Sequence, residues 1–338
     1  MRAIVCEEPG KFSMKEEQKP ELVEGSAIVR VRRIGICGTD MHAYRGRQPF
    51  FTYPRILGHE LSGVIEEIGP NDEGLSAGDR VCVIPYLHCG ECRACQAGKT
   101  NCCENIRVMG VHTDGGMREW IRVPIRHLIQ ANDISLEGAA IVECLSIGAH
   151  AVRRGQLTAK DNVLVIGAGP IGLGVMIAAK QAGARTAAMD LAQHRLDFSK
   201  RWAGVDAAVT SDGDVEAKLR DMFGGQLPDV VIDATGNKAS MERSFQYAGH
   251  GGRIVYVGLV REDITFHDPL FHARELTLYA SRNATREDFA DVMRWMREGR
   301  VDIESFVTHR APFEQTIDTF EQWLDPAQQV IKAMVTLD

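Results

Sequence analysis

Short apolar runs broken by glycine, proline and aspartate fill the first 150 positions of the chain. Ala27–Val31, Leu61–Ile68 and Arg80–Val83 are β-type runs, and turn-rich pieces such as Leu75-Ser-Ala-Gly-Asp-Arg80 separate them. That rhythm predicts a compact, mainly antiparallel β domain over residues 1–150. From Asp161 the rhythm changes. Val163–Ile166 is a short apolar run, Ile171–Ala182 has helical spacing, Thr186–Met189 is strand-like and Arg195–Trp202 is helical. Apolar runs at Val230–Ile232, Arg253–Val257 and Leu276–Tyr279 continue the alternation. Strands alternating with helices predict a parallel sheet covered on both faces, over residues 151–284. A helical stretch, Arg286–Gly299, and a β-type ending, Val330–Leu337, follow.

Composition narrows the classes. At 338 residues the chain is long enough for two domains. Its net charge of −7 argues against a nucleic-acid or anionic-membrane partner, which would need clustered Lys and Arg. Residues 1–16 lack the apolar core of a signal peptide. The uncharged stretch Val163–Ala179 is rich in Gly and Pro, and reads as strand, turn and buried helix rather than a span. Nine cysteines, with a crowd between Cys89 and Cys103, point to metal ligation in a cytoplasmic chain rather than to disulfides.

Val163-Leu-Val-Ile-Gly-Ala-Gly-Pro-Ile-Gly172 places Gly-x-Gly-x-x-Gly directly after a strand and at the opening of a helix. Gly167 permits the tight turn, Gly169 admits a pyrophosphate close to the backbone, and Gly172 lets helix and strand approach. The helix N-terminus, with Pro170 and Ile171 in its first turn, offers free N–H groups to phosphate. Asp190 ends the next strand, where a carboxylate accepts the adenosine-ribose hydroxyls and favours NAD over NADP. Arg195 keeps NADP open, because a nearby Arg can take a 2′-phosphate.

Cys89, Cys92 and Cys95 lie at two-residue spacing, followed by Cys102 and Cys103. Three such thiols plus one more close a tetrahedron around a structural zinc. The spacing does not match the bacterial iron–sulfur pattern, and it does not choose between Cys102 and Cys103. A second group is sparser. Cys37, His59, Glu60 and Glu143 supply a thiol, an imidazole and two carboxylates, a donor set suited to a zinc that keeps one position open. Three anions around Zn²⁺ would more than neutralise it, so we expect one carboxylate to leave the metal, or to act through a water, during turnover.

Together, Gly35-Ile-Cys-Gly-Thr-Asp-Met-His42, Gly58-His-Glu60, the spaced thiols, the Gly-Ala-Gly-Pro-Ile-Gly turn and Val142-Glu-Cys-Leu-Ser-Ile-Gly-Ala-His150 resemble the zinc-dependent medium-chain dehydrogenases. This is the family of alcohol, sorbitol and threonine dehydrogenases, and the likeness covers essentially the whole chain. It implies an α/β fold, with a Rossmann doubly wound domain at 151–284 beside a mainly β GroES-like catalytic domain. That domain takes residues 1–150 with its structural zinc lobe, and the chain returns to it over 285–338. It also implies Cys37, His59, Glu60 and Glu143 at a catalytic zinc, and Cys89, Cys92, Cys95 and Cys103 at a structural one, leaving Cys102 spare. Cys144 departs from the pattern, since many relatives have Pro after this Glu.

The same resemblance implies the chemistry. Zinc eases ionisation of a substrate hydroxyl, Thr39 takes the proton, and His42 receives it through the nicotinamide ribose. NAD accepts the hydride. Thr235, Val257 and Gly258 are expected along the cofactor cleft, with Arg282 and Asn283 near the nicotinamide. Gln48–Arg55, Gly110–Gly116 and Ser281–Thr285 look most like bacterial hexonate dehydrogenases, which oxidise a secondary hydroxyl of a sugar acid of the L-galactonate or L-gulonate type. Arg282 is the first candidate for the substrate carboxylate, then Arg45, Arg47 and Arg118. Phe50 and Phe51 are candidate walls of the cleft. A neutral polyol such as sorbitol or xylitol, or L-threonine, is the competing substrate, and an inactive NAD-binding sensor the competing class. A homodimer or homotetramer is expected, with Leu276–Tyr279 pairing across a two-fold axis.

Overall fold

The computed structural model describes residues 1–48 and 51–338. It divides into two compact units, one of Met1–Glu143 with Thr285–Asp338 and the other of Cys144–Ala284.

The first unit is built on a 7-stranded sheet. Its path runs Leu128–Gln130, Arg80–Val83, Glu60–Ile68, Ser26–Ile36, Lys332–Thr336 and Val307–Pro312, with Trp120–Pro124 also pairing with Ser26–Ile36. All neighbours are antiparallel except the last two strands on the path, which run parallel. A smaller sheet joins Lys11–Glu16, Arg2–Glu8 and Arg55–Ile56. The expected runs Leu61–Ile68 and Arg80–Val83 fall inside or on observed strands, while Ala27–Val31 extends to Ser26–Ile36. The core packs Ile28, Ile34, Ile56, Leu57, Leu61 and Ile65 at 2% exposure or less. Burial of such side chains contributes roughly 1.5–3 kcal/mol each. The strand Lys332–Thr336 inserts beside Ser26–Ile36 in the middle of the sheet, so the chain end is part of the core frame.

The second unit holds a 6-stranded parallel sheet. Its order is Ala207–Thr210, Arg185–Asp190, Asn162–Ile166, Val230–Asp233, Arg253–Tyr256 and Thr277–Ala280. In chain order this reads 3-2-1-4-5-6, the doubly wound arrangement whose reversal point lies beside the first strand. The predicted helix Ile171–Ala182 is observed as Pro170–Gln181, one residue earlier at each end. Arg195–Trp202 is an α-helix only over Gln193–Phe198 and continues as a π-type turn over Ser199–Ala203. Gly172 is required here: a Cβ at that position would lie 1.7 Å from the Gly167 carbonyl oxygen. Among the described residues, no helix is long and apolar enough to cross a membrane.

Candidate functional site

Two groups of metal-type donors occur among the described residues, both in the first unit. In one, the ligand atoms of Cys89, Cys92, Cys95 and Cys103 lie within 4.8 Å of one another. The loop between the strands Tyr86–Leu87 and Arg107–Val108 carries all of them, and those strands pair at its base. Amides turn inward toward sulfur: Cys89 N–H donates to Cys103 Sγ at 3.3 Å and Cys92 N–H to Cys89 Sγ at 3.4 Å. Backbone N–H groups of Cys92 and Glu91 pull the Cys89 thiol down to about 6, so it ionises readily. Cys92 is lowered likewise, while burial lifts the Cys95 thiol to about 12; four sulfurs at this spacing suit a tetrahedral zinc. Cys102 is exposed and stands outside the group.

In the other group, the ligand atoms of Cys37, His59 and Glu60 converge within the same 4.8 Å. Local structure explains how. Cys37 is the N-cap of the helix Gly38–Tyr44. The buried Asp40 accepts from Cys37 N–H at 2.9 Å and from Gly58 N–H at 3.2 Å, so one carboxylate ties the helix entry to the segment carrying His59. Asp40 Oδ1 is 3.6 Å from His59 Nδ1, too long for a hydrogen bond but close enough to act on its charge. Glu60 opens its strand opposite Gly35. A Cβ at residue 35 would stand 2.1 Å from Glu60 Oε2, so only glycine leaves room for that carboxylate.

Three buried acidic neighbours govern the electrostatics. Burial opposes a charged His59, yet Asp40, Cys37 and Glu143 overcome it and hold the imidazole pKa well above its ordinary value. A field that gathers a proton so strongly equally favours a divalent cation in its place. Burial lifts the Glu143 carboxyl to about 7, against the pull of His59 and with a further push from Glu60. Glu143 Oε2 is buried and has no hydrogen-bond partner, as is His59 Nδ1. Orphaned polar atoms of this kind, beside a thiol and a carboxylate, fit a divalent cation.

Around the Cys37 group, three residues escape the sequence pattern. Lys332 Nζ donates to Glu60 Oε1 at 2.6 Å, to Glu60 Oε2 at 2.7 Å and to the Ile36 carbonyl at 3.2 Å. The Tyr86 hydroxyl donates to Glu143 Oε1. Asp40 supplies the ties just described. Only Lys332 carries a signal in the chain, a lone cation in the apolar run Val330-Ile-Lys-Ala-Met-Val335. It also sets one buried cation beside Glu60, in a group that holds the acidic side chains of Cys37, Glu60 and Glu143 with Asp40 next to them.

Thr39 and His42 lie on the same short helix as Met41, and burial together with Arg45 and Arg47 depresses the His42 pKa. Arg45 donates to the Leu324 carbonyl at 3.1 Å. Arg118 lies beside Ala3 and, at 3.7 Å, Glu17. Phe51 packs against Tyr53 with ring centroids 4.9 Å apart, while Phe50 falls outside the described residues.

The second unit carries a cavity of about 590 Å³ lined by Gly167, Gly169, Asp190, Arg195, Thr235 and Arg243, among others. Asp190 is fixed by two amides: Ala168 N–H donates to Oδ2 at 2.7 Å and Ala192 N–H to Oδ1 at 2.8 Å. Beneath the cavity the buried Asp233 accepts from Thr235 Oγ1 and Ser240 Oγ, both at 2.6 Å. Its backbone carbonyl accepts from Val257 and Gly258. Pro170, Ile171, Gly172, Val257, Gly258, Arg282 and Asn283 do not line this cavity. Arg282 is exposed, and Asn283 has a left-handed φ of 53° with a buried, unpartnered Nδ2. Arg243 was not foreseen; it lies on the helix Lys238–Tyr247.

Comparison with known proteins agrees with both units. Residues 23–133 match the alcohol dehydrogenase GroES-like domain, and residues 170–298 match the zinc-binding dehydrogenase family. The chain is 42% identical over 336 residues to the L-galactonate-5-dehydrogenase of Escherichia coli K12, covering 99% of each. It is 33% identical to the 2-dehydro-3-deoxy-L-galactonate 5-dehydrogenase of Pseudoalteromonas atlantica, over 93% of this chain and 94% of that one. The RspB alcohol dehydrogenase of E. coli CFT073, solved with NADH, superposes with a TM-score of 0.93 at 31% identity, over 100% of this chain and 99% of that one. With its GroES-like and Rossmann units and its dehydrogenase relatives, the chain belongs to the zinc-type medium-chain alcohol dehydrogenases and is an oxidoreductase of that family.

Proposed function

We propose that this protein is an NAD-dependent dehydrogenase that oxidises a secondary hydroxyl of a sugar acid, of the hexonate class, to the ketone. The observation that carries the reaction is the convergence of Cys37, His59 and Glu60 within 4.8 Å, with the orphaned Glu143 Oε2 as a further donor. The sugar-acid substrate is favoured by the likeness to the two galactonate-type enzymes.

In this reading Cys37, His59, Glu60 and Glu143 would hold the catalytic zinc, with one of the two carboxylates leaving it or acting through a water during turnover so that a position opens for substrate, and Cys89, Cys92, Cys95 and Cys103 would hold the structural one. Zinc, when bound at Cys37, supplies the Lewis acidity that lets a substrate hydroxyl give up its proton near neutral pH. The Thr39 hydroxyl orients that proton and passes it toward His42, whose depressed pKa keeps the imidazole neutral and able to receive it. Lys332 balances the charge of Glu60 without touching substrate. Asp190 selects NAD: its two oxygens are already aimed by backbone amides, and a 2′-phosphate there would meet a fixed negative charge. Gly167, Gly169, Pro170, Ile171 and Gly172 serve the pyrophosphate, and Thr235, Val257, Gly258 and Asn283 the remainder of the dinucleotide. Arg282 is the cation for the substrate carboxylate. The exposed edge strand Thr277–Ala280, with Leu278 at 39% exposure, suits a homodimeric contact.

Initial rates of NADH formation on C4–C6 sugar acids and neutral polyols test the substrate. Hexonates turning over well above polyols supports it, and polyols turning over while hexonates stay inert rejects it.

A further inference from the structure

We infer that Tyr86 is a positioning residue for Glu143, an inference that rests on the metal reading of the Cys37 group. Its hydroxyl donates to Glu143 Oε1, whereas Oε2 of the same carboxylate is buried and unpartnered. One oxygen is thus anchored and the other kept for the cation or for a hydroxyl bound to it. The two carboxylates of the group are treated differently. Glu60 gives both oxygens to a cation, Lys332, and Glu143 gives one to a neutral phenol. A neutral donor fixes the rotamer while leaving the negative charge of Glu143 for the site.

The phenol itself is held rigidly. Tyr86 is 4% exposed, and its ring meets the fully buried Phe289 edge-on, with centroids 6.3 Å apart and planes at 83°. Its main chain pairs with Val108, and Cys89 of the thiol loop follows three positions later. The loop that carries the four thiols therefore begins and ends on the strand pair that aims Tyr86. Loss of order in that loop reaches the Cys37 group through this hydroxyl. Partners of ligand carboxylates change metal affinity or activity by roughly 10–100-fold when removed.

The test compares wild type, Tyr86→Phe, Glu143→Gln and the double variant after exchanging Co²⁺ into the Cys37 group, with Cys37→Ser as the blank for that site. Phe keeps the ring against Phe289, and thermal unfolding is followed so that each protein is read where it is folded. We expect Tyr86→Phe to retain thiol-loop zinc, to shift the d–d bands of Co²⁺, and to weaken its hold against a chelator roughly tenfold or more. The double variant should match Glu143→Gln alone, because the hydroxyl acts only through that carboxylate. Unchanged bands and chelator competition in Tyr86→Phe, or additive losses in the double variant, overturn the inference while leaving the metal reading intact. A wild-type protein that takes up no Co²⁺ through Cys37 overturns both.

Discussion

Lys332 and Glu60 form a two-point ion pair in the core of the first unit, at 2.6 and 2.7 Å, with side chains 1% and 0% exposed. A buried pair of this kind is weak support for stability as a whole, but removing one partner strands a charge. Lys332→Met should therefore cost about 3 kcal/mol or more in urea unfolding. Lys332→Met with Glu60→Gln should recover most of that loss. If the single variant is as stable as wild type, the pair does not hold Glu60 as described.

Cys103, not Cys102, completes the thiol group. Cys103→Ser should lose one zinc per chain and lower the unfolding temperature, since a structural zinc contributes directly to folding. Cys102→Ser should leave both unchanged. Metal analysis of the two purified variants decides this, and the reverse pattern would reassign the fourth ligand.

Asp190 holds its carboxylate on two amides at 2.7 and 2.8 Å. Asp190→Ser removes the charge-assisted bonds to ribose, so NADH binding by fluorescence titration should weaken roughly tenfold. NADPH binding should strengthen, with Arg195 and Arg243 in the same cavity to meet the extra phosphate. An unchanged preference for NADH would show that selectivity resides elsewhere.

His127 gives the fold an acid-sensitive point. It is buried with Nδ1 unpartnered, and burial, then His88, Arg126 and Arg286, bring its pKa down from 6.5 to about 3. The folded state thus disfavours the proton that the unfolded chain accepts. Its share of stability is whole above about 6.5 and is lost as pH falls from there toward about 3. His127→Gln should lose less stability than wild type between neutral and mildly acidic pH in urea unfolding. Equal losses would mean that other groups carry the acid response.

Much of this was legible in the chain, for physical reasons that differ by region. The second unit announced itself because buried parallel strands are continuous apolar runs, and Gly167–Gly172 is a local device whose parts all lie within one turn. The thiol loop was equally local, although only folding separated Cys103 from Cys102. The Cys37 group was harder. Cys37, His59, Glu60 and Glu143 are brought near by strands and helices distant in sequence, and their supports come from farther still. Lys332 lies 272 positions from Glu60, and Tyr86 57 from Glu143. Spacing does not carry such pairings. The strand Arg2–Glu8, central in its small sheet, escaped notice because its apolar run Ala3–Cys6 is only four residues long between charged ends, and Val307–Pro312 because His309 and Arg310 break its apolar pattern at the end of the sheet path.

The central claim is that a zinc held by the Cys37 group drives NAD-linked oxidation of a sugar acid. Selective removal of that zinc, with the thiol-loop zinc retained, followed by NADH formation on a hexonate before and after zinc is restored, tests it most directly. The account predicts that activity disappears with the one metal and returns with it. Undiminished NADH formation by protein proven to lack metal at Cys37 and His59 would contradict it.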